Sequence, residues 1–177
     1  MRINAGTKAV DIELPAIDGS IFDSASMAEK PYMLSFFRFA SCPFCNMRVH
    51  ELVYRFDEFD EDFSIIAIFD SSLDNLVRYS EGHNSPFPIL ADEQNRYYRL
   101  YNIEYSIAGV LKGMFLRMPT LVKGLLKGYF PLRIKGRMTT MPADFLIDRH
   151  GIIQVAYYGE DEGDHLPFDR VKAFSHC

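Results

Sequence analysis

Tyr32-Met33-Leu34-Ser35-Phe36-Phe37-Arg38-Phe39-Ala40-Ser41-Cys42-Pro43-Phe44-Cys45-Asn46-Met47-Arg48-Val49 changes its hydrophobic period half-way along, and that change decides the fold. Tyr32 to Phe37 is short, apolar and aromatic-rich after Pro31, the pattern of a strand buried on both faces. From Pro43 onward the apolar residues Val49, Leu52, Val53 and Phe56 recur at i, i+3, i+4 and i+7, the stripe of an amphipathic helix. Strand, turn and helix follow one another, with two cysteines where the helix begins. A helix N-terminus presents free N–H groups and a partial positive charge, which lower a thiol pKa and generate the nucleophilic thiolate. Pro43 suits the first helical position, where its missing N–H costs nothing, and it sets Cys45 one turn below Cys42, close enough to close a disulfide.

Outward from this segment, Phe63-Ser64-Ile65-Ile66-Ala67-Ile68-Phe69 reads as a central strand of a parallel sheet. Asp70-Ser71-Ser72 supplies helix N-cap candidates, and a helix through Leu73, Leu76 and Val77 is expected to end near Gly82. After Pro86-Phe87-Pro88-Ile89-Leu90, Asp92 caps a shorter helix through Tyr97 and Tyr101. Asp144 to Asp148 and Ile152 to Tyr158 flank Arg149-His150-Gly151, an antiparallel pair, and Asp164 to Phe174 closes the chain as a helix. Strands alternating with helices give an α/β protein with a central mixed sheet, and 177 residues without linker or repeat are read as a single domain, 1–177.

Composition narrows the class. The first 19 residues carry Asp11, Glu13 and Asp18 and lack the continuous apolar run of a signal peptide, and Lys or Arg interrupts every apolar segment long enough to approach a membrane span. Three cysteines, two of them in one Cys-x-x-Cys, suit a reducing compartment, so the expected location is the cytoplasm. Net charge is −5, but residues 105–143 hold seven basic side chains and no acidic one. The remainder, with twelve basic and 24 acidic residues, carries −12, which excludes nucleic acid as the default partner of the body.

Two plainer readings of the cysteines compete with redox chemistry. Both can be buried core thiols with Phe44 as filling, or two ligands of a zinc site. Zinc needs about four ligands, and the remaining candidates, His50, His83, His150, His165, His176 and Cys177, show no second paired spacing. No metal and no bound cofactor are expected.

Arg38-Phe-Ala-Ser-Cys42-Pro-Phe-Cys45-Asn after a buried strand resembles the Arg-x-x-x-Cys-Pro-x-Cys segment of peroxiredoxin-like proteins of the alkyl hydroperoxide reductase/thiol-specific antioxidant family. The resemblance continues through Ile17-Asp18-Gly19, the strand at 63–69 and Phe145-Leu146-Ile147-Asp148-x-x-Gly151, and leaves only the basic segment without a counterpart. It implies a thioredoxin-like fold and a thiol oxidoreductase acting on hydroperoxides or protein disulfides through a Cys42/Cys45 couple, with thioredoxin or a low-molecular-weight thiol as reductant and a homodimer allowed. It also implies Cys42 as an exposed attacking thiolate and Cys45 as its resolving partner.

The departures from that family bear on substrate. Strict peroxiredoxins carry Pro-x-x-x-Thr-x-x-Cys; in that register Cys45 is the peroxidatic cysteine, Cys42 replaces the Thr and Arg38 the Pro. The Arg usual three residues before Phe145 is Pro142, which after Met141 resembles the cis-proline facing the cysteines of thioredoxins and otherwise is an ordinary proline at the start of a strand. Arg38 either stabilises a thiolate or is a solvated strand-end cation, and Cys177 is a candidate accessory thiol or a mobile tail. The segment 107–135, interrupted at Pro119 and Gly124, reads as two short basic amphipathic helices that cap the fold beside the site, or that contact a membrane surface or a protein partner. In the second case the protein is a non-enzymatic binding module with the cysteines as passive redox sensor.

Overall fold

The computed structural model describes residues 2–80, 84–129 and 136–177. The expected helix end near Gly82, the ligand candidate His83, and Arg133 and Lys135 of the basic segment lie outside the described residues.

A five-stranded sheet in the order β5-β4-β3-β6-β7 is built from β3 (Tyr32–Phe37), β4 (Ser64–Phe69), β5 (Ile89–Ala91), β6 (Ala143–Ile147) and β7 (Ile153–Tyr158). The first three run parallel, paired Tyr32 to Ser64 through Phe37 to Phe69, while β6 runs antiparallel to β3 with Phe36 opposite Ala143. A separate hairpin of β1 (Glu13–Pro15) and β2 (Ile21–Asp23) precedes it. The helices are α1 (Pro43–Tyr54), α2 (Leu73–Ser80), α3 (Arg96–Leu100), α4 (Ile107–Leu116), α5 (Met118–Leu126) and α6 (Phe168–Ser175).

Every residue of β3 is buried, because the sheet is covered on both faces. Met33 and Phe37 pack with Val49, Leu52, Leu76 and Val171 on the side of α1, α2 and α6, while Leu34 and Phe36 pack with Tyr97, Tyr98 and Tyr101 on the side of α3. This is why β3 and β4 read as continuous apolar runs rather than alternating ones. The Tyr98 hydroxyl donates to the carbonyls of Phe37 and Ile68, tying together the ends of the two central strands just before the cysteine segment.

Several expectations are refined. Asp92 accepts from the N–H groups of Arg96 and Tyr97 at 2.8 and 2.7 Å and so caps α3 as expected, although Asn95 intervenes in a left-handed conformation. Ile89–Ala91 before it is an edge strand. The closing helix starts at Phe168 rather than Asp164, because Leu166 precedes Pro167 and its N–H is taken by Asp144 at 2.6 Å. Asp70 does not cap α2. Its carboxylate accepts from Arg137 N–H (3.0 Å), Thr140 Oγ1 (2.9 Å) and Asn95 Nδ2 (3.0 Å), pinning the stretch before β6 to the end of β4.

The basic segment forms two helices, with Pro119 in the first turn of α5, where a proline is tolerated. They cap the fold beside the cysteines. Gly124 of α5 lies against Pro43, whose Cβ would stand 3.1 Å from any Cβ added there. No helix among the described residues is long and apolar enough to cross a membrane.

Candidate active site

Cys42 is the N-cap residue of α1, with Pro43 at the first helical position as the sequence reading expects. The loop that presents it is held from within: Cys42 N–H donates to Phe39 O at 3.0 Å, and the Asn46 amide donates to the carbonyls of Ala40 (2.8 Å) and Cys42 (2.9 Å). Both thiols are free and wholly buried. Cys42 is therefore not the exposed thiolate expected from sequence. Its surroundings come in part from afar: Gly124 of α5 lies against the adjoining Pro43, and Glu162 of loop 159–166 holds the Arg38 that touches Cys42, which the local sequence around the cysteines does not reveal.

Arg38 is also buried, at 2% exposure, which removes the reading of a solvated strand-end cation. Its backbone N–H donates to Cys45 Sγ at 3.4 Å and its Nη1 to Cys42 Sγ at 3.5 Å. The same Nη1 donates to Glu162 Oε2 at 2.7 Å, and Nη2 donates to the carbonyl of Met138. One guanidinium thus touches the thiol, a buried carboxylate and the chain that leads into β6. Arg fits this task through its planar fork of fixed donors.

The two thiols differ in acidity. Burial pushes Cys42 up, but the hydrogen bond from Cys45 and the charge of Arg38 outweigh it and bring it down to about 7. Burial pushes Cys45 up, and its bond to the neighbouring Cys42 adds to the effect, so Cys45 stays well above its ordinary value of 9.0. Where the pair ionises near neutral pH, the charge sits on Cys42, with Cys45 as its S–H donor. Burial raises Glu162 above the usual carboxylate range, against the opposing pull of Arg38.

Glu162 is the functional-site residue that the sequence reading missed. It sits in Gly159-Glu160-Asp161-Glu162-Gly163-Asp164, an acidic loop that answers the basic hairpin pair by pair. Lys112 Nζ reaches Glu160 at 2.7 Å, and Arg117 reaches Asp161 at 2.6 Å and Asp164 at 3.3 Å. Asp144, fully buried, holds the far end of the loop by accepting from Leu166 N–H, and it also contacts Ser35 Oγ and His165 Nδ1. The signal available in sequence was charge complementarity between residues 159–164 and 105–143.

The sequence matches the AhpC/TSA family over residues 5–156. This chain belongs to the AhpC/TSA family. Its fold is that of peroxidoxin BcpB from Mycobacterium tuberculosis (TM-score 0.71, 16% identity, covering 99% of this chain and 97% of that one). It is also that of peroxiredoxin 6 of Arenicola marina (TM-score 0.72, 13% identity, 98% and 72% covered). A putative thiol:disulfide interchange protein DsbE from Chlorobium tepidum shares it at TM-score 0.62 and 16% identity, with 98% and 99% covered. No curated protein matches the sequence. For this AhpC/TSA member the expected thioredoxin-like fold, with its mixed sheet flanked by helices, is the one observed.

The remaining candidates divide. Pro142 directly precedes Ala143, the residue opposite Phe36, so it stands at the cysteine end of β3, but no peptide bond among the described residues is cis. The expected cis-proline is thus a trans proline at the start of β6. Hydrogen bonds hold it on both sides: Met141 N–H donates to Glu104 O at 2.8 Å, and Gly159 N–H to Pro142 O at 2.9 Å. Cys177 is exposed after α6, whose Ser175 Oγ accepts from Asp60 N–H before β4 begins, at the opposite end of the sheet from Cys42. The structure does not bring it to the site. Among the described residues no group of three or more His, Cys, Asp or Glu side chains could hold a metal ion.

Proposed function

We propose that this AhpC/TSA thiol oxidoreductase reduces hydroperoxides, with Cys42 as the attacking thiolate, Cys45 as the resolving thiol and Arg38 as the group that stabilises charge at both. The single observation that carries the reading is the contact of Arg38 Nη1 with Cys42 Sγ inside a site closed to bulk water. The thiolate attacks one peroxide oxygen; the S–O bond forms, the O–O bond breaks, and the departing alkoxide takes a proton to leave as an alcohol. Cys42 is then a sulfenic acid, oxidised by two electrons. Cys45 attacks its sulfur, the S–S bond forms, and the hydroxide leaves with the Cys45 proton as water. Two thiols of thioredoxin or a small thiol reduce the Cys42–Cys45 disulfide by exchange and become a disulfide themselves. This reading reverses the family register, in which Cys45 is attacked first. The favourable acidity of Cys42 and the high pKa of Cys45 support it. We place the reaction in the cytoplasm, where a thiol pool keeps such pairs reduced.

A second reading, reduction of protein disulfides, is favoured by the adjacency of two free thiols in one helical turn. Burial of Cys42 under the hairpin weighs against a macromolecular substrate and for a small one. Stopped-flow oxidation by hydrogen peroxide, run beside reduction of insulin disulfides in wild type, Cys42→Ser and Cys45→Ser, separates the two. Fast peroxide consumption lost only in Cys42→Ser, with a sulfenic acid trapped on Cys42 in Cys45→Ser, is the expected result. Brisk insulin reduction with slow peroxide reaction would replace the proposal with the second reading.

A further inference from the structure

The hairpin of α4 and α5 carries its glycines inward and its large apolar side chains outward. Gly109 and Gly113 are the buried positions of α4, lying so close to the body that added Cβ atoms would stand 2.6 Å from Met141 Sδ and 2.5 Å from Glu162 Cγ. On α4, Ile107, Leu111 and Phe115 recur at i, i+4 and i+8 and are exposed, Phe115 at 79%. On α5, Met118, Val122 and Leu126 do the same, Leu126 at 82%. Large contiguous apolar faces of this kind on water-soluble proteins mark interaction sites.

We propose that this face docks on an anionic lipid surface, lying in the headgroup plane. Charge chooses the occupant. Residues 105–143 are basic throughout while the remainder of the chain carries −12, so an anionic bilayer attracts the hairpin, repels the body and orients the molecule face down. Lys123 and Lys127 are exposed and make no ion pair among the described residues, which leaves both for headgroups. A second copy of this chain is disfavoured as occupant, because a contact between identical hairpins brings together two patches of the same positive charge. The length of α4, ten residues, allows it to lie on the surface and not to span it.

Docking also reaches the thiol. The ion pairs that fasten the hairpin, Lys112–Glu160 and Arg117–Asp161, belong to the loop that places Glu162 on Arg38. Headgroup phosphates compete for the same two cations, so the bilayer loosens the cover over Cys42.

Flotation of the full chain with vesicles of phosphatidylcholine, and of equal parts phosphatidylcholine and phosphatidylglycerol, tests docking without involving thiol chemistry, so its outcome is independent of the peroxide reading. Two unpaired lysines at the surface give a preference of roughly thirtyfold for the anionic vesicles. Lys123→Gln with Lys127→Gln abolishes the preference, and Leu111→Ser with Phe115→Ser abolishes binding. Absence of flotation with either vesicle would overturn the proposal, as would equal flotation with both. So would a dimer in analytical ultracentrifugation that Phe115→Ser dissociates.

Discussion

Removing the cation beside Cys42 gives the sharpest test of the site. Arg38→Met alone would strand Glu162 as a buried charge at a cost of about 3–5 kcal/mol, so the change is paired with Glu162→Gln. Without Arg38, Cys42 rises above about 7, because burial is then opposed only by the hydrogen bonds from Cys45. Each tenfold gain in its proton affinity lowers the thiolate fraction at pH 7 from about one half to about one tenth, roughly fivefold. A more basic thiolate is intrinsically more nucleophilic, by about threefold over that interval, so ionisation alone leaves a loss of about twofold. Any further loss measures the action of Arg38 on the peroxide itself. The assay is iodoacetamide alkylation read at Cys42 by peptide mass spectrometry across pH, beside stopped-flow oxidation by hydrogen peroxide. Wild-type reactivity climbs with pH through about 7, and that of the double variant climbs at higher pH. An unmoved midpoint would refute the electrostatic account, whatever happens to turnover.

Gly113→Ala sets a methyl against Glu162 Cγ and should lower stability by about 1–3 kcal/mol; thermal unfolding reads the loss, and faster alkylation of Cys42 reports a lifted cover. Asp70→Ala leaves Arg137 N–H, Thr140 Oγ1 and Asn95 Nδ2 without their shared acceptor and should cost about 1–3 kcal/mol in urea denaturation. Because Met138 lies within the released stretch, the same variant should also raise the Cys42 titration midpoint. Cys177→Ser should leave peroxide turnover and the Cys42–Cys45 disulfide unchanged, and a mass spectrum showing Cys177 in a disulfide during turnover would contradict its placement.

What sequence revealed and what it hid follow one physical division. The ends of β3 and the start of α1 were legible, because apolar runs, proline at the first helical position and the helical stripe are local signals. The break between α4 and α5 was legible at Pro119 for the same reason. Arg38 was ambiguous, because its burial depends on Glu162, 124 residues away, and on Met138, 100 residues away. Pro142 resembled a cis-proline, but an isolated Met-Pro pair says nothing of its surroundings, where Met141 bonds to Glu104 and Gly159 to Pro142 around a trans peptide. Asp70 followed a strand and preceded a helix, the pattern of a cap, yet its three partners come from other parts of the chain.

Because β6 runs opposite to β3, it is the beginning of β6, not its end, that lies beside the cysteines. The chain therefore passes through Met138, whose carbonyl grips Arg38, before it is anchored in the sheet at Ala143. On either side of Met138, Arg137 and Thr140 are held by Asp70, so the carbonyl that grips the guanidinium hangs between two fixed posts, like a latch on a short span. Strain in that span is felt at the thiolate through the Arg38 side chain, and an insertion between Arg137 and Thr140 would slacken it while leaving every residue of the site in place.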